Sequence, residues 1–190
     1  FRPGINVLDD IVSLGRLWRS DSGESNATYC ALELAILDWA FGRAGLSFTE
    51  LLPPRRDEVV YSGIIEASNP SAAATLARRY VSAGFKSLKI KVGLGDDVGR
   101  VAAVRDAVGT DTGIRVDANG AWTASEAIDA LERLRPFVVD AVEQPVPATD
   151  LVGMRLVRER SGVAVVADES LVTLADAHRL VAARSCDVFN

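Results

Sequence analysis

The sequence predicts an α/β protein whose parallel strands follow one another around a barrel, and three observations support this fold class. From residue 58, short β-branched runs alternate with stretches rich in Ala, Leu and Arg. No two strand-like runs are close enough to form a hairpin, so helices must join the strands, which makes the sheet parallel. A charged residue also recurs at four successive strand ends, at separations of 26, 26 and 25 residues. This is about the length of one βα unit in an eight-unit barrel.

Two helices are predicted before the alternating region. Apolar residues over 5–18 follow a nearly helical period. A longer helix over 27–42, with Asn26 as its N-cap, is apolar nearly all round, which predicts burial. The Pro-Pro-Arg-Arg sequence at 53–56 has the composition of a linker and predicts a boundary between 1–57 and 58–190.

Region 58–190 contains six predicted strands and five predicted helices, which correspond to five βα units and the start of a sixth. The strands are predicted over 59–65, 87–92, 113–117, 138–143, 163–168 and 187–190. The helices are predicted over 70–83, 96–108, 124–135, 150–160 and 173–183.

Composition excludes several classes of protein. Hydrophobic residues make up 48% and charged residues 25% of the 190 positions, as in ordinary globular proteins. The formal net charge is −5 and there is no basic tract, so we expect no nucleic-acid partner and no membrane partner. One histidine and two distant cysteines, Cys30 and Cys186, exclude a Cys- or His-rich metal site. A reducing, cytoplasmic location fits this cysteine usage best.

The recurring charged residues are predicted to share one face of the sheet. Residues two apart on a strand point the same way, so Lys89 and Lys91 face opposite to Leu88 and Ile90. The apolar side chains can then pack under the outer helices while the charged ones point into the barrel. The strand-end residues are Lys91, Asp117, Glu143 and Asp168.

Three converging carboxylates need a cation between them, because like charges in one site raise each other's pKa. Asp117, Glu143 and Asp168 offer only oxygen ligands, which suits Mg²⁺, with Mn²⁺ as a substitute. The alternative is three separate strand-end caps or salt bridges. Their regular spacing, with a polar residue after or near each acid, favours the metal site.

The Lys-x-Lys pair predicts an acid/base group beside that metal. Two nearby ammonium groups depress each other's pKa, and a lysine with a lowered pKa can act as a base at neutral pH. A metal that holds a substrate carboxylate, together with this lysine, would remove the adjacent proton through an enediolate. We expect Arg115, two residues before Asp117 on the same face, to pair with barrel carboxylates rather than to act in catalysis.

These strings together resemble the enolase superfamily, in particular its muconate-lactonizing subgroup within the mandelate racemase/muconate lactonizing enzyme family. The resemblance covers about residues 26–190. It rests on four strings in the family's order, namely Lys89-Ile90-Lys91, Asp117-Ala118-Asn119, Val142-Glu143-Gln144-Pro145 and Ala167-Asp168-Glu169-Ser170. An Asp rather than a Glu as the third ligand favours the muconate-lactonizing subgroup.

The resemblance implies a fold, a site and a reaction. The fold is a modified TIM barrel of the enolase type, with 1–57 a partial α+β capping domain and 58–190 the first five to six βα units. In the site, Mg²⁺ is held by three carboxylates, a lysine is the acid/base, and polar groups support them. Those roles fall on Asp117, Glu143 and Asp168 as metal ligands, Lys91 as acid/base, Lys89 as its support, and Asn119 and Glu169 as surrounding groups.

The substrate implied by the resemblance is a small carboxylate, and the assembly a homo-oligomer. The segments 96–106 and 115–122 resemble o-succinylbenzoate synthases most, which predicts a dehydration. Muconate cycloisomerases, dipeptide epimerases and N-acylamino-acid racemases share the same core strings and remain alternatives. Enzymes of this kind are metal-dependent lyases or isomerases.

Two other classes of protein are alternatives. Gly93-Leu94-Gly95 after a strand, with Asp117 at the next strand end, resembles a dinucleotide-binding loop. Against this, the third glycine is one position late, and Asp96 and Asp97 would repel a phosphate. A non-catalytic barrel fragment is the second alternative.

We expect the sequence to be part of a longer chain. It starts at Phe1 without Met and stops at Asn190 inside a predicted strand. The resemblance implies a second catalytic lysine on the sixth strand and two further βα units. A half-barrel without them is expected to bind metal but not to close its site.

Overall fold

A computed structural model describes residues 26–47 and 53–190, together with positions 13 and 49. The chain divides into two compact units, Phe1–Val59 and Val60–Asn190. The first unit contains helix α1 (Asn26–Ala44). The predicted helix over 5–18, apart from Ser13, and the predicted cap at the Asn26 side chain lie outside the described residues.

Helix α1 does not show the burial that its apolar sequence predicts. Leu34 and Trp39 are 54% and 61% exposed, whereas Ala40 is buried. The prediction was wrong because the apolar core of the described residues is formed within the second unit, from Ile65 onward. Among the described residues, no helix is long and apolar enough to cross a membrane.

The second unit alternates strand and helix throughout. Its strands are β1 (Ser62–Ile65), β2 (Ser87–Lys91), β3 (Gly113–Asp117), β4 (Ala141–Glu143), β5 (Ala164–Ala167) and β6 (Val188–Phe189). Its helices are α2 (Pro70–Ser82), α3 (Asp97–Val108), α4 (Ala124–Leu134), α5 (Leu151–Arg160) and α6 (Leu174–Ala183), with a 3₁₀ turn over Arg135–Phe137.

The six strands form one parallel sheet in the order β1-β2-β3-β4-β5-β6. Every connection therefore moves one strand further in the same direction, as in a (β/α) barrel. A dinucleotide-binding sheet reverses its strand order at a switch point, and the described strands show no reversal. This topology argues against the dinucleotide-binding alternative.

The observed element limits differ from the predicted ones most at the starts of β1 and β4, by three residues each, and by one residue at several other ends. Helices α3, α5 and α6 each begin one residue later, because Asp96, Asp150 and Thr173 are N-caps whose side chains accept a backbone N–H. Strand β4 begins at Ala141 rather than 138. The 3₁₀ turn ends at Phe137 and the left-handed Val138 (φ 52°) follows it, so the strand starts only after this turn.

The core lies between the sheet and the outer helices, as the alternation predicts. Leu88, Ile90, Ile114, Val116 and Val142 are completely buried. The helices cover them with small and branched side chains, which include Ala73, Ala77, Val101, Val104, Ala127, Leu131, Met154, Val157 and Leu180. The opposite face of the strands is thus left to the charged residues.

Gly63 in β1 is required by close packing. A Cβ at Gly63 would lie 2.4 Å from Cγ of Tyr80 on α2. We expect Gly63→Ala to lower the free energy of unfolding by about 1–3 kcal/mol, the usual cost of overpacking. Chemical denaturation measures this, with Gly42→Ala as control, because a Cβ there meets no atom within 4 Å. Equal stability of both variants would contradict the packing argument.

Candidate active site

The strand ends bring three of the predicted site residues into register. Lys91 of β2 is the register partner of Asp117 of β3, and Asp117 is the partner of Glu143 of β4. The three positions are therefore neighbours at the carboxyl end of a parallel sheet, where α/β barrels place their active sites. Asp117 and Glu143 are completely buried.

Two lysines and two carboxylates form a connected network at this edge. Nζ of Lys91 donates a hydrogen bond to Oδ2 of Asp117 at 2.7 Å. Nζ of Lys89 lies 3.0 Å from the same oxygen and donates to Oε1 of Glu143 at 3.0 Å. Lys89 is thus the cation that bridges the two buried carboxylates.

Glu143 has further polar neighbours. Nδ2 of Asn190 donates to its Oε1 at 3.2 Å. Nε of Arg115 lies 3.1 Å from its Oε2, which confirms the expected pairing of Arg115 with a barrel carboxylate. This contact is not aligned as a hydrogen bond, so the buried Oε2 accepts none from the described residues. A buried carboxylate oxygen that accepts no hydrogen bond favours the binding of a cation beside it.

Asn119 and Glu169 extend the network from Lys91. Nζ of Lys91 donates to Oδ1 of Asn119 at 2.6 Å, and Nδ2 of Asn119 donates to Oε1 of Glu169 at 2.9 Å. Asn119 also fixes Asp117, because its backbone N–H donates to Oδ1 at 3.0 Å. Its φ of 46° turns the chain back toward the strand end. Both residues thus orient the lysine–carboxylate contact.

Asp168 follows the last residue of β5, and its side chain is partly exposed. Val166 of β5 is the register partner of Glu143 of β4, so Asp168 lies two residues beyond that pairing, past the end of β5. Among the described residues, no three potential His, Cys, Asp or Glu ligands are grouped closely enough to hold a metal. The network therefore contains Asp117 and Glu143, whereas Asp168 lies at the end of the neighbouring strand.

The two buried carboxyl groups differ in acidity. Burial by itself raises the pKa of Asp117, but hydrogen bonds from Lys91, Lys89 and the Asn119 N–H outweigh it and hold the pKa below 3.8. Burial raises the pKa of Glu143 above 4.5, and the charge of Asp117 adds to the rise against the hydrogen bond from Lys89. Asp117 is therefore the more acidic partner in the network.

The prediction of a lowered lysine pKa is wrong for Lys89 in this structure. Burial does lower the pKa of Lys89, but hydrogen bonds from its ammonium to Glu143 and Asp117, and their charges, raise it above 10.5. The two carboxylates that contact the ammonium directly outweigh the repulsion from the neighbouring lysine.

A titration tests this assignment. The chain contains three lysines, Lys86, Lys89 and Lys91, so ¹³Cε-lysine labelling gives three resolvable NMR signals. In EDTA we expect the Lys89 signal, assigned by its loss in Lys89→Met, to titrate above pH 10.5. The raised pKa stabilises the fold fully below pH 10.5, and this contribution is lost as pH rises through the folded-state pKa. A midpoint below 10.5 would contradict the bridging role.

Two of the three predicted ligands have the chemistry that a divalent cation requires, and the third lies apart from them at the next strand end. Asp117 and Glu143 are adjacent, buried and share one cationic partner, and Oε2 of Glu143 has no hydrogen-bond donor among the described residues. An all-carboxylate set is the kind that Mg²⁺ takes. Asp168 at the next strand end completes the set that the sequence predicts.

Two buried polar residues around this edge had no role assigned to them from the sequence. Arg100 is 2% exposed and donates to the carbonyl of Lys91 at 2.7 Å. Gln144 is completely buried and bonds to the segment after β5. Nothing in the pattern of α3 marks Arg100 as buried. The position of Gln144 directly after a strand-end acid was the available signal.

The fold and the site together define a barrel-type α/β protein with a lysine–carboxylate site at the carboxyl ends of its strands. Comparison with known families agrees. Residues 72–190 match the family model described as "Enolase C-terminal domain-like". The chain belongs to the enolase superfamily.

Two individual relatives are similar to most of this chain. A hydrophobic dipeptide epimerase of Enterococcus faecalis is 37% identical over 166 residues, which cover 86% of this chain and 47% of the relative. Muconate cycloisomerase 1-2 of Acinetobacter lwoffii is 35% identical over 84% of this chain and 43% of the relative.

One solved structure is also similar to most of this chain. The E. faecalis dipeptide epimerase complexed with Mg and the dipeptide L-Leu-L-Tyr matches with a TM-score of 0.88 and 34% identity, over 95% of this chain and 52% of the other. The chain thus spans about half the length of the relatives it matches.

Proposed function

We propose that this chain carries part of a Mg²⁺-dependent site that removes the proton α to a substrate carboxylate, and that dipeptides are its substrate class. The observation that carries the proposal is the contact of Lys91 with Asp117, beside Glu143, at the carboxyl edge of the sheet. The likeness to a dipeptide epimerase that is complexed with Mg and a dipeptide supports the substrate class.

The ion would be held by Asp117, Glu143 and Asp168. When bound, Mg²⁺ supplies positive charge to the substrate carboxylate and thereby makes the α-proton more acidic. This chain's own residues then handle the proton. Lys91, as a free amine, accepts it at Nζ, and the electron pair of the broken C–H bond stays on the substrate.

The surrounding groups set the position of that amine. Asn119 accepts from Nζ of Lys91 at 2.6 Å, and Glu169 holds the amide of Asn119 at 2.9 Å. Lys89, 3.0 Å from both Asp117 and Glu143, balances their charge. A nucleophile or base must be held near its reacting atom for efficient transfer, and this chain of contacts limits the motion of Nζ.

Isomerisation is the preferred outcome over elimination. The relatives named above are an epimerase and a cycloisomerase, and neither is an o-succinylbenzoate synthase. The dehydration predicted from sequence therefore stays a prediction without support from these relatives. Muconate cycloisomerisation is the second candidate, favoured by 35% identity to a muconate cycloisomerase.

Other parts of the prediction are proposed on the same basis. An all-carboxylate set suits Mn²⁺ as well as Mg²⁺, so we propose that Mn²⁺ substitutes. We also propose that region 1–57 belongs to a capping domain, that the protein is a homo-oligomer, and that it is located in the cytoplasm.

Solvent exchange tests the proposed function. In ²H₂O with Mg²⁺, a protein that contains this chain together with the remaining βα units of the barrel is incubated with a panel of L,L- and D,L-dipeptides, and loss of each α-proton signal is followed by NMR. We expect exchange that EDTA abolishes. Exchange with muconate-type lactones or N-acylamino acids, but with no dipeptide, would contradict dipeptides as the substrate class. Exchange that survives EDTA would overturn the metal requirement.

A further inference from the structure

We infer that Gln144 is the positioning residue of the metal site, which fixes the strand end of Asp168 relative to Glu143. The inference rests on the proposed function, because it concerns the ligands of the same ion. It goes beyond it by assigning a role to a residue that neither holds the metal nor touches the lysines.

The backbone ladder alone does not hold Asp168 in place. Strand β4 ends at Glu143 and β5 ends at Ala167, and Glu143 is in register with Val166. The last ladder bond between β4 and β5 runs from the N–H of Gln144 to the carbonyl of Val166 at 2.9 Å. On its other side β5 is held by the N–H of Asn190, which donates to the carbonyl of Ala167 at 2.9 Å, but no ladder bond joins Asp168 to the end of β4.

The side chain of Gln144 provides a tie between them. Its Oε1 accepts the backbone N–H of Asp168 at 3.2 Å and that of Ser170 at 3.0 Å. Its Nε2 donates to the carbonyl of Val146 at 2.9 Å and to Oγ of Ser170 at 2.7 Å. Both amide protons and both acceptor positions are used, so the amide has one orientation only.

Gln144 also reaches the strand end of the remaining predicted ligand. Its carbonyl accepts the N–H of Gly120 at 2.7 Å, three residues after Asp117. A Cβ at Gly120 would come within 3.2 Å of Cα of Pro147, so the two loops are in close contact. One buried residue therefore bonds to the segments that follow β3, β4 and β5. Each of these segments follows one of the three carboxylates.

A left-handed backbone makes this arrangement possible. Gln144 has φ of 37°, which an L-residue adopts at some cost. The turn directs the amide inward, where Gln144 is completely buried, while Glu143 beside it faces the charged network. Any buried amide needs hydrogen-bond partners; what is particular to Gln144 is that its partners lie in the segments after β4 and β5.

Metal affinity provides the test. Mg²⁺ affinity is measured by calorimetry and Mn²⁺ affinity by EPR on the unaltered chain and on Gln144→Met, which keeps the length of the side chain but none of its hydrogen bonds. We expect a loss of about tenfold to a hundredfold, as for outer partners of metal ligands. Ser170→Ala, which leaves the bond from Gln144 to Asp168 in place, should lose only a few-fold.

A stability control separates positioning from a general structural role. Val104→Ala truncates a completely buried side chain on α3, away from the strand ends. If Gln144 acts only through stability, Mg²⁺ affinity will fall in proportion to the thermal midpoint of unfolding in all three variants, and the inference is overturned. If it positions Asp168, the affinity of Gln144→Met will be much lower than its thermal midpoint predicts from Val104→Ala and Ser170→Ala.

The remaining outcomes are also decisive. Should Gln144→Met not fold, Gln144→Ala takes its place, because it also removes the acceptor for the Asp168 N–H; affinity equal to that of the unaltered chain would overturn the inference. If the unaltered chain binds neither Mg²⁺ nor Mn²⁺, the proposed function itself fails. If it binds both, and Gln144→Met binds them equally well, only the role of Gln144 fails.

Discussion

Replacement of Lys91 by methionine is expected to abolish exchange of the substrate α-proton while Mg²⁺ still binds. The amine is the group that accepts the proton, and a general base contributes about 10²–10⁴-fold to such a step. Methionine keeps an unbranched side chain beside Asp117 but cannot accept a proton. NMR in ²H₂O measures the exchange rate and calorimetry measures Mg²⁺ binding in the same samples.

The other two lysines are matched controls for this variant. Lys86 is exposed and precedes β2, so Lys86→Met should exchange at the parent rate. Lys89→Met removes the cation between Asp117 and Glu143 and should alter metal binding as well as exchange. Retained exchange in Lys91→Met would contradict its role as the base, and loss of exchange in Lys89→Met with unchanged Mg²⁺ binding would instead assign the base to Lys89.

The repeating part of the fold could be predicted from the sequence because local signals there agree with the tertiary structure. Strand β3 begins and ends where predicted, at 113–117. In β2 the apolar Leu88 and Ile90 are completely buried, while Lys89 and Lys91 keep partial exposure on the other face. A strict alternation of this kind leaves one face of the strand for the core.

Helix α1 shows where the local signal is insufficient. An apolar helix predicts burial, yet burial depends on a partner that the helix's own sequence does not specify. Leu34 and Trp39 are exposed in the structure. The core is formed from residues of the barrel unit, and hydrophobicity within 27–42 carries no information about that.

The candidate site was predictable in membership but not in contacts. The spacing of strand-end charges placed Lys91, Asp117 and Glu143 at one edge, and the register brings them together. The pKa of Lys89 was mispredicted because it depends on which oxygen atoms lie within 3 Å of its ammonium. Gln144 was overlooked as a tie for a similar reason, since its four hydrogen bonds join positions up to 26 residues away.

Neutralising Asp117 is expected to cause the largest loss of metal affinity. Asp117→Asn keeps the size of the side chain but removes the charge that Lys89 and Lys91 both contact. Loss of an outer partner costs about 10–100-fold in affinity, so loss of a ligand should cost more than about a hundredfold. Calorimetric titration with Mg²⁺ measures this. Glu143→Gln and Asp168→Asn should also weaken binding, and unchanged affinity in all three would contradict the ligand assignment.

Asp140 provides a matched control for Asp117→Asn. Asp140 precedes β4 at the opposite end of the strand, and its carboxylate accepts the N–H of Ile114 at 2.7 Å. Asn can accept the same bond, so Asp140→Asn should bind Mg²⁺ as the parent does.

Because burial raises the pKa of Glu143 above 4.5, Mg²⁺ must displace a proton at low pH, and affinity should rise with pH through that pKa. In Glu143→Gln this rise should be lost, because no proton remains at position 143 to compete with the ion.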